Sequence, residues 1–193
     1  MLIKNEFEVA APLEKVWDFF GNIPQVATCL PGTELTEDLG DDKYKGQVAI
    51  RMGPVRMQFG GTAAITERDE TAHKIVVDAS GAEAKGRGQA SMVVTATLAR
   101  AGRGTKVLVA QDLQLAGAAA QYGRGMITDV SSVLMSDFAR NMADRIDRAE
   151  RGESLDNVRA SSASGLALGL RAARMALARV FRRFFLPYQT TVS

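Results

Sequence analysis

QYGRGMITDVSSVLMSDFARNMADRIDRAE, residues 121–150, decides the fold. Its apolar residues recur at helical spacing: Met126 or Ile127, then Val130, Leu134, Phe138, Met142 and Ile146 form one stripe. Upstream, from about residue 34 to residue 115, the period is two instead. Tyr44, Gly46, Val48, Ile50 and Met52 share one side of a strand, and Val55, Met57, Phe59, Gly61, Ala63 and Ile65 share one side of the next, with Gly53-Pro54 turning between them. Further strands read over residues 74–79, 89–98 and 105–115, with turns at Asp69-Glu70 and residues 102–104. Short strands at this spacing make an antiparallel meander with one apolar face, and the long helix is the only large element available to cover it. Residues 3–9 add a strand. PLEKVWDFF at 12–20 adds a short helix presenting Val16, Phe19 and Phe20, and residues 25–30 a second one before the Pro31-Gly32 turn. The expected fold is α+β: a curved antiparallel sheet wrapped around one long C-terminal helix, with two short helices and an appended amphipathic tail helix. Such a wrap leaves room between sheet and helix.

Composition bounds what this domain does. The chain has 193 residues, 46% of them hydrophobic, enough for a core in one domain plus an appendage. The net charge of +2 conceals an asymmetry: residues 151–193 hold seven Arg against Glu153 and Asp156, leaving about −3 on residues 1–150 by difference. The basic character belongs to the tail, and with no basic surface read elsewhere nucleic acid is not an expected partner. The single cysteine, Cys29, forms no internal disulfide, and the opening MLIKNEFEVA reads as a strand rather than a signal peptide, so a cytoplasmic location is expected.

No catalytic constellation is found. Nucleophilic catalysis needs a base beside the nucleophile, and the one histidine, His73, lies in a turn-like TAHK segment that reads as surface. Cys29 reads as a small buried hydrophobe. His, Cys and carboxylates nowhere gather at metal-ligand spacing, and the acid pairs Asp41-Asp42 and Asp69-Glu70 fall in turns. GAEAKGRG, residues 81–88, has the glycines of a phosphate loop but joins two strands. Gln121 and Tyr122 either cap the long helix or hydrogen-bond a ligand carbonyl.

Beyond residue 150 the pattern changes again. Residues 1–150 read as the domain, 151–164 as a polar, flexible linker, and 165–186 as a basic amphipathic helix. At about 100° per residue, Leu166, Leu170, Leu177, Phe181 and Phe184 gather on one side, with Arg171, Arg174, Arg179, Arg182 and Arg183 on the rest. Central arginines cost about 2.5–3.5 kcal/mol each against gains of about 0.3–0.6 per Leu or Phe, so the segment does not span a bilayer. Lying in the interface suits both faces, since each arginine gains about 1 kcal/mol from anionic membrane lipid. Docking on its own domain, a twin or a partner's groove is the alternative.

Four runs in order, PLEKVW at 12–17, CLPG at 29–32, MGPV at 52–55 followed by FGG at 59–61, and GAAAQYGRG at 117–125, resemble the carbon monoxide dehydrogenase G-subunit (CoxG) family. That family belongs to the START-like, birch-allergen-like helix-grip superfamily, and the resemblance covers residues 1–148. It implies a hydrophobic pocket and no tightly bound metal. It also implies work beside a molybdenum hydroxylase such as carbon monoxide dehydrogenase, at the inner face of the cell membrane, with a menaquinone-like lipid as the lipophilic cargo. Pocket candidates, from alternation and stripe alone, are Phe20, Leu30, Met57, Phe59, Met92, Met126, Val130 and Leu134, each equally a candidate for core packing. Two roles stand open: a shuttle carrying the ligand between membrane and enzyme, or an adaptor that recruits the enzyme without transport. A cyclase or hydrolase would need a titratable pair inside the cavity.

Overall fold

The computed structural model describes residues 1–52 and 55–153. The tail helix expected over 165–186, with its membrane-binding residues, and the linker beyond residue 153 lie outside them. In chain order the elements are β1 (Leu2–Val9), α1 (Leu13–Gly21), α2 (Ile23–Cys29), β2 (Thr33–Gly40), β3 (Lys43–Met52), β4 (Val55–Asp69), β5 (Lys74–Glu83), β6 (Gly88–Ala101), β7 (Gly104–Gly117) and α3 (Arg124–Glu150). The seven strands form one antiparallel sheet in the order β1-β7-β6-β5-β4-β3-β2. The meander runs from β2 to β7, and β1 closes beside β7. The two short helices therefore carry the chain from one sheet edge to the other, and α3 returns over the inner face.

Alternation sets that face. In β7, Thr105, Val107, Val109 and Gln111 are buried while Leu108 and Asp112 are exposed, and β1 matches it with Ile3 and Val9 inward. On α3 the expected stripe holds, with Val130, Phe138, Met142 and Ile146 buried. The helix starts later than residue 121, because Gly117 turns at φ 70°, Ala118 N donates to Arg87 O at 2.7 Å, and Ala118–Gln121 form a 3-10 turn first. No helix among the described residues is long and apolar enough to cross a membrane.

The core occupies one end of the wrap. Val9, Val16, Phe19, Phe20, Val107 and Val109 pack with Phe138, Met142 and Ile146 from the C-terminal half of α3. Phe138 meets Phe7 and Phe20 edge to face, with ring centroids 6.0 and 6.1 Å away. His73, read as a surface residue, is half-buried: at φ 47° it closes the β4–β5 turn, with its ring edge-on to Trp17 at 5.3 Å. α3 is fastened to its neighbours by polar side chains. Asn141 Nδ2 donates to Cys29 O at 2.9 Å, and Asn5 on β1 engages Ser131 and Ser132.

Candidate functional site

Beyond Phe138 toward the N-terminus of α3, the inner face of the sheet loses its side chains. The pairing aligns Gly46 with Gly61, Gly61 with Gly81, Gly81 with Ala90, and Ala90 with Leu115, a row of small residues crossing β3 to β6. Ala63 and Ala79, also paired, widen the bare strip. At Gly61 the absence of a side chain is obligatory, since a Cβ there would lie 1.9 Å from Ser80 O and 2.6 Å from Gly81 Cα. The helix above cannot sink to fill the gap, because the packed aromatic cluster props up its other half. A cavity of about 360 Å³ results. That lies within the roughly 300–1,000 Å³ of small-molecule sites.

Ile127, Val130, Ser131 and Leu134 of α3 roof the hollow, Leu30 and Pro31 close one side, and Met57, Phe59 and Met92 stand on its floor. Ile50 near the end of β3 also lines it, half-buried like Ile127. The structure thus brings Leu30, Met57, Phe59, Met92, Val130 and Leu134 together around one space. It removes two candidates. Phe20 belongs to the core, because the inner face of α1 packs at the far end against Phe138. Met126 is 48% exposed, because the stripe runs through Ile127 and leaves its neighbour about 100° away, toward solvent.

Sequence reasoning missed the polar end of this cavity. Gln111 on β7 lines it and is buried. Asn5 Nδ2 donates to Ser131 Oγ at 3.3 Å, and Ser131 Oγ donates to Gln111 Oε1 at 3.2 Å. The chain of donors stops there: Gln111 Nε2 has no acceptor among the described residues. A buried amide left this way costs about 1–3 kcal/mol, which a ligand oxygen would recover. The signal was present in the alternation, since residue 111 falls on the inward side of β7. Gln121, which the sequence reading allowed as a ligand contact, is exposed, and Tyr122 packs on the Met57–Phe59 cluster instead.

Among the described lining residues, Tyr44 is the one that titrates. Burial first, then the charges of Asp38 and Asp42, push its phenol above the usual tyrosine range, with Arg68 opposing, so it stays protonated. The glycine-bearing loop at 81–88 serves the wall. Glu83, buried, accepts from Lys85 N at 3.0 Å and Arg87 N at 3.2 Å, and pairs with the Arg87 guanidinium, which chiefly holds its carboxyl below the usual range. Arg87 in turn accepts from Ala118 N, tying the loop to the turn before α3. Cys29 is fully buried, and burial pushes its thiol up to about 11, against lesser opposing effects of Arg145 and Thr28. Among the described residues no group of three or more His, Cys, Asp or Glu could hold a metal ion.

The family model for the carbon monoxide dehydrogenase G-subunit (CoxG) matches residues 6–147. No curated protein matches the chain. Among solved structures, a conserved protein from Geobacillus kaustophilus shares 20% identity at a TM-score of 0.69, covering 77% of this chain and 97% of its own. A Thermus thermophilus protein shares 13% identity at TM-score 0.55, covering 77% and 99%. The ZhuI aromatase/cyclase from Streptomyces sp. R1128 shares 14% at TM-score 0.56, covering 82% and 99%. At these identities the likeness is one of fold, the helix-grip wrap of sheet around helix.

Proposed function

The chain belongs to the carbon monoxide dehydrogenase G-subunit (CoxG) family, and from that premise we propose that it is a non-catalytic carrier of a lipophilic carbonyl compound, a menaquinone-like quinone, between the cytoplasmic membrane and a molybdenum hydroxylase such as carbon monoxide dehydrogenase. The observation that carries the reading is the cavity itself: about 360 Å³, apolar on floor and roof, with one buried amide at its β7 wall that lacks an acceptor among the described residues. Each ligand methylene sheltered there recovers about 0.8 kcal/mol that water denies it. A quinone oxygen is the acceptor that Gln111 Nε2 lacks, while an aliphatic chain suits Met57, Met92 and Leu134.

The same lining argues against catalysis. Among the described residues that line it there is no Asp, Glu, His, Lys, Arg or Cys, so none of them offers the acid–base pair a cyclase would require. In this proposal the tail at 165–186 is the membrane contact and the linker lets the domain reach the enzyme. The test is organic extraction of the purified full chain, expressed in a menaquinone-producing bacterium, followed by mass spectrometry. A stoichiometric quinone is expected. A protein that is always empty, yet still brings the hydroxylase to membranes, would refute the carrier and leave a recruitment adaptor.

A further inference from the structure

Much of the cavity floor is main chain rather than side chain. Gly46, Gly61 and Gly81 carry nothing on it, and Ala63, Ala79 and Ala90 only a methyl group. Backbone held in a seven-stranded ladder cannot rotate out of a ligand's way as a side chain does. The roof is equally fixed. Phe138, Met142 and Ile146 hold one half of α3 in the core, and Asn5 ties the cavity half to β1 through Ser131 at 3.3 Å and Ser132 at 3.4 Å. Met57 and Phe59 are themselves packed in a buried cluster. What can yield is half-buried Met92, Leu134 and Met135, a few atoms each. The volume of about 360 Å³ is therefore close to the capacity of the site and is not a resting value that a large ligand would stretch.

That capacity converts to atoms. An apolar cavity of about 150 Å³ takes benzene, about 25 Å³ per ring carbon, so about 360 Å³ takes about fourteen heavy atoms. At that packing a methylnaphthoquinone head, about thirteen heavy atoms, fills the space, and one isoprene unit, about five more, already exceeds it. Gln111 decides which end enters. Its Nε2, without an acceptor among the described residues, lies on β7 near the β1 edge, where Ile3 and Ser131 are buried as well. The lining residues farthest from it in strand order, Thr33, Leu35 and Tyr44 on β2 and β3, are half-buried. The enclosed end is the carbonyl end.

We infer that this is a head-group site: it encloses a carbonyl ligand of about fourteen heavy atoms, and the chain of anything larger stays outside the domain. A long-chain quinone is then held by its head while its chain remains in lipid, so the domain presents the head at the bilayer surface and does not ferry the whole molecule through water. Enclosed chain carbons would repay leaving the membrane at about fourfold in affinity per methylene, and the cavity has no room for them. For the identity of the ligand the inference rests on the carrier reading; the size limit rests on the walls alone.

The test is isothermal titration of the delipidated full chain with two series. One is methyl ketones from about eight to about twenty heavy atoms; the other is methylnaphthoquinone without a chain or with successive isoprene units. Ketone affinity rises about fourfold per methylene up to about fourteen heavy atoms and is flat within about twofold beyond them. Lengthening the naphthoquinone chain leaves its affinity within about fivefold of the bare head. Leu134→Ala, which takes three carbons from the roof, moves the ketone break to about seventeen heavy atoms, and Ala79→Leu, which adds three to the floor, moves it to about eleven. The two variants act in opposite directions, so general loosening of the fold does not imitate the pair. Ketones that fail to bind, affinity that climbs past the break at an undiminished slope, a break that stays put in both variants, or isoprene units that each tighten binding a hundredfold would overturn the size limit. Failure of the carrier reading looks different. If naphthoquinones do not bind while the ketones keep their break, the quinone is lost and the limit stands; if every chain unit adds affinity, the carrier stands and the limit is lost.

Discussion

Replacing Gln111 by methionine separates the cavity's polar contact from its shape. The side chains are similar in length, so the walls stay in place. In the empty protein the change has two opposed effects. The hydrogen bond from Ser131 Oγ at 3.2 Å is lost, about 1 kcal/mol, and the buried Nε2 without an acceptor is removed, a relief of about 1–3 kcal/mol. Ser131 keeps its bond from Asn5 Nδ2. The net is a protein unchanged or up to about 2 kcal/mol more stable, against the usual trend of core substitutions. At about 2–4 °C per kcal/mol for a domain of this size, the melting temperature of the delipidated protein rises by about 0–8 °C. Ligand affinity moves the other way. On the proposed reading a quinone oxygen satisfies the amide in the wild type and nothing in the variant, so the dissociation constant should rise by about 5–150-fold. Isothermal titration with a short-chain naphthoquinone, and with the hydrocarbon analogue lacking both oxygens, reads this directly. Only the quinone should weaken. Equal losses for the two compounds, or an empty variant destabilised by about 2 kcal/mol or more, would refute the assignment of Gln111 as the carbonyl contact.

Three further outcomes test the walls. Gly61→Ala drives a Cβ to 1.9 Å from Ser80 O, backbone that cannot swing aside, and should cost about 3 kcal/mol in urea melts, whereas Gly60→Ala, with open space around it, should stay within about 0.5 kcal/mol; similar values for both would sink the close-approach argument. Glu83 has its carboxyl held below its ordinary 4.5, so its contribution is present above that value and lost as pH falls through the lower folded value; the stability gap between wild type and Glu83→Gln should shrink as pH falls below 4.5, and a constant gap would contradict the pairing with Arg87. Cys29, its thiol pushed to about 11, should react with a disulfide reagent at pH 8 only as fast as the protein opens, and prompt labelling of the native protein would show the burial to be wrong.

The fold was legible because period two gave way to period 3.6 within a few residues of Gly117, and each period demands its own partner. β2 was harder to see: all but two of its residues are exposed, so an edge strand left little apolar alternation. The cavity was legible only in part. Alternation and stripe place a residue on the inner face but not along the length of the wrap, so Phe20 and Leu134 looked alike although one is core and the other roof. Met126 was kept beside Ile127 because a stripe read at 100° per residue does not discriminate neighbours at the start of a helix whose first turn was unknown. Gln111 carried a usable signal, a polar residue on an inward position of an apolar strand, but its missing partner is a property of three dimensions.

One stripe on α3 serves two purposes, and their separation along the helix explains why a hollow persists in a folded domain. Over Phe138, Met142 and Ile146 the stripe meets large side chains from β1, β7 and α1, and this half holds the helix at a fixed height. Over Ile127, Val130 and Leu134 it meets Gly46, Gly61, Gly81 and Ala90, which cannot reach it. Were the helix free to tilt, collapse would recover the lost contacts, since a void forfeits dispersion on every wall. Asn5 fastens the cavity half of α3 to the β1 edge through Ser131 and Ser132, and Asn141 fastens the core half to α2, so tilting would break hydrogen bonds that are partly buried. The empty state is therefore kept open by the packing of the other end rather than by anything in the cavity, and whatever fills the space stabilises the native state by mass action. That arrangement suits a carrier, because binding and release then draw on contacts with the ligand and leave the core undisturbed.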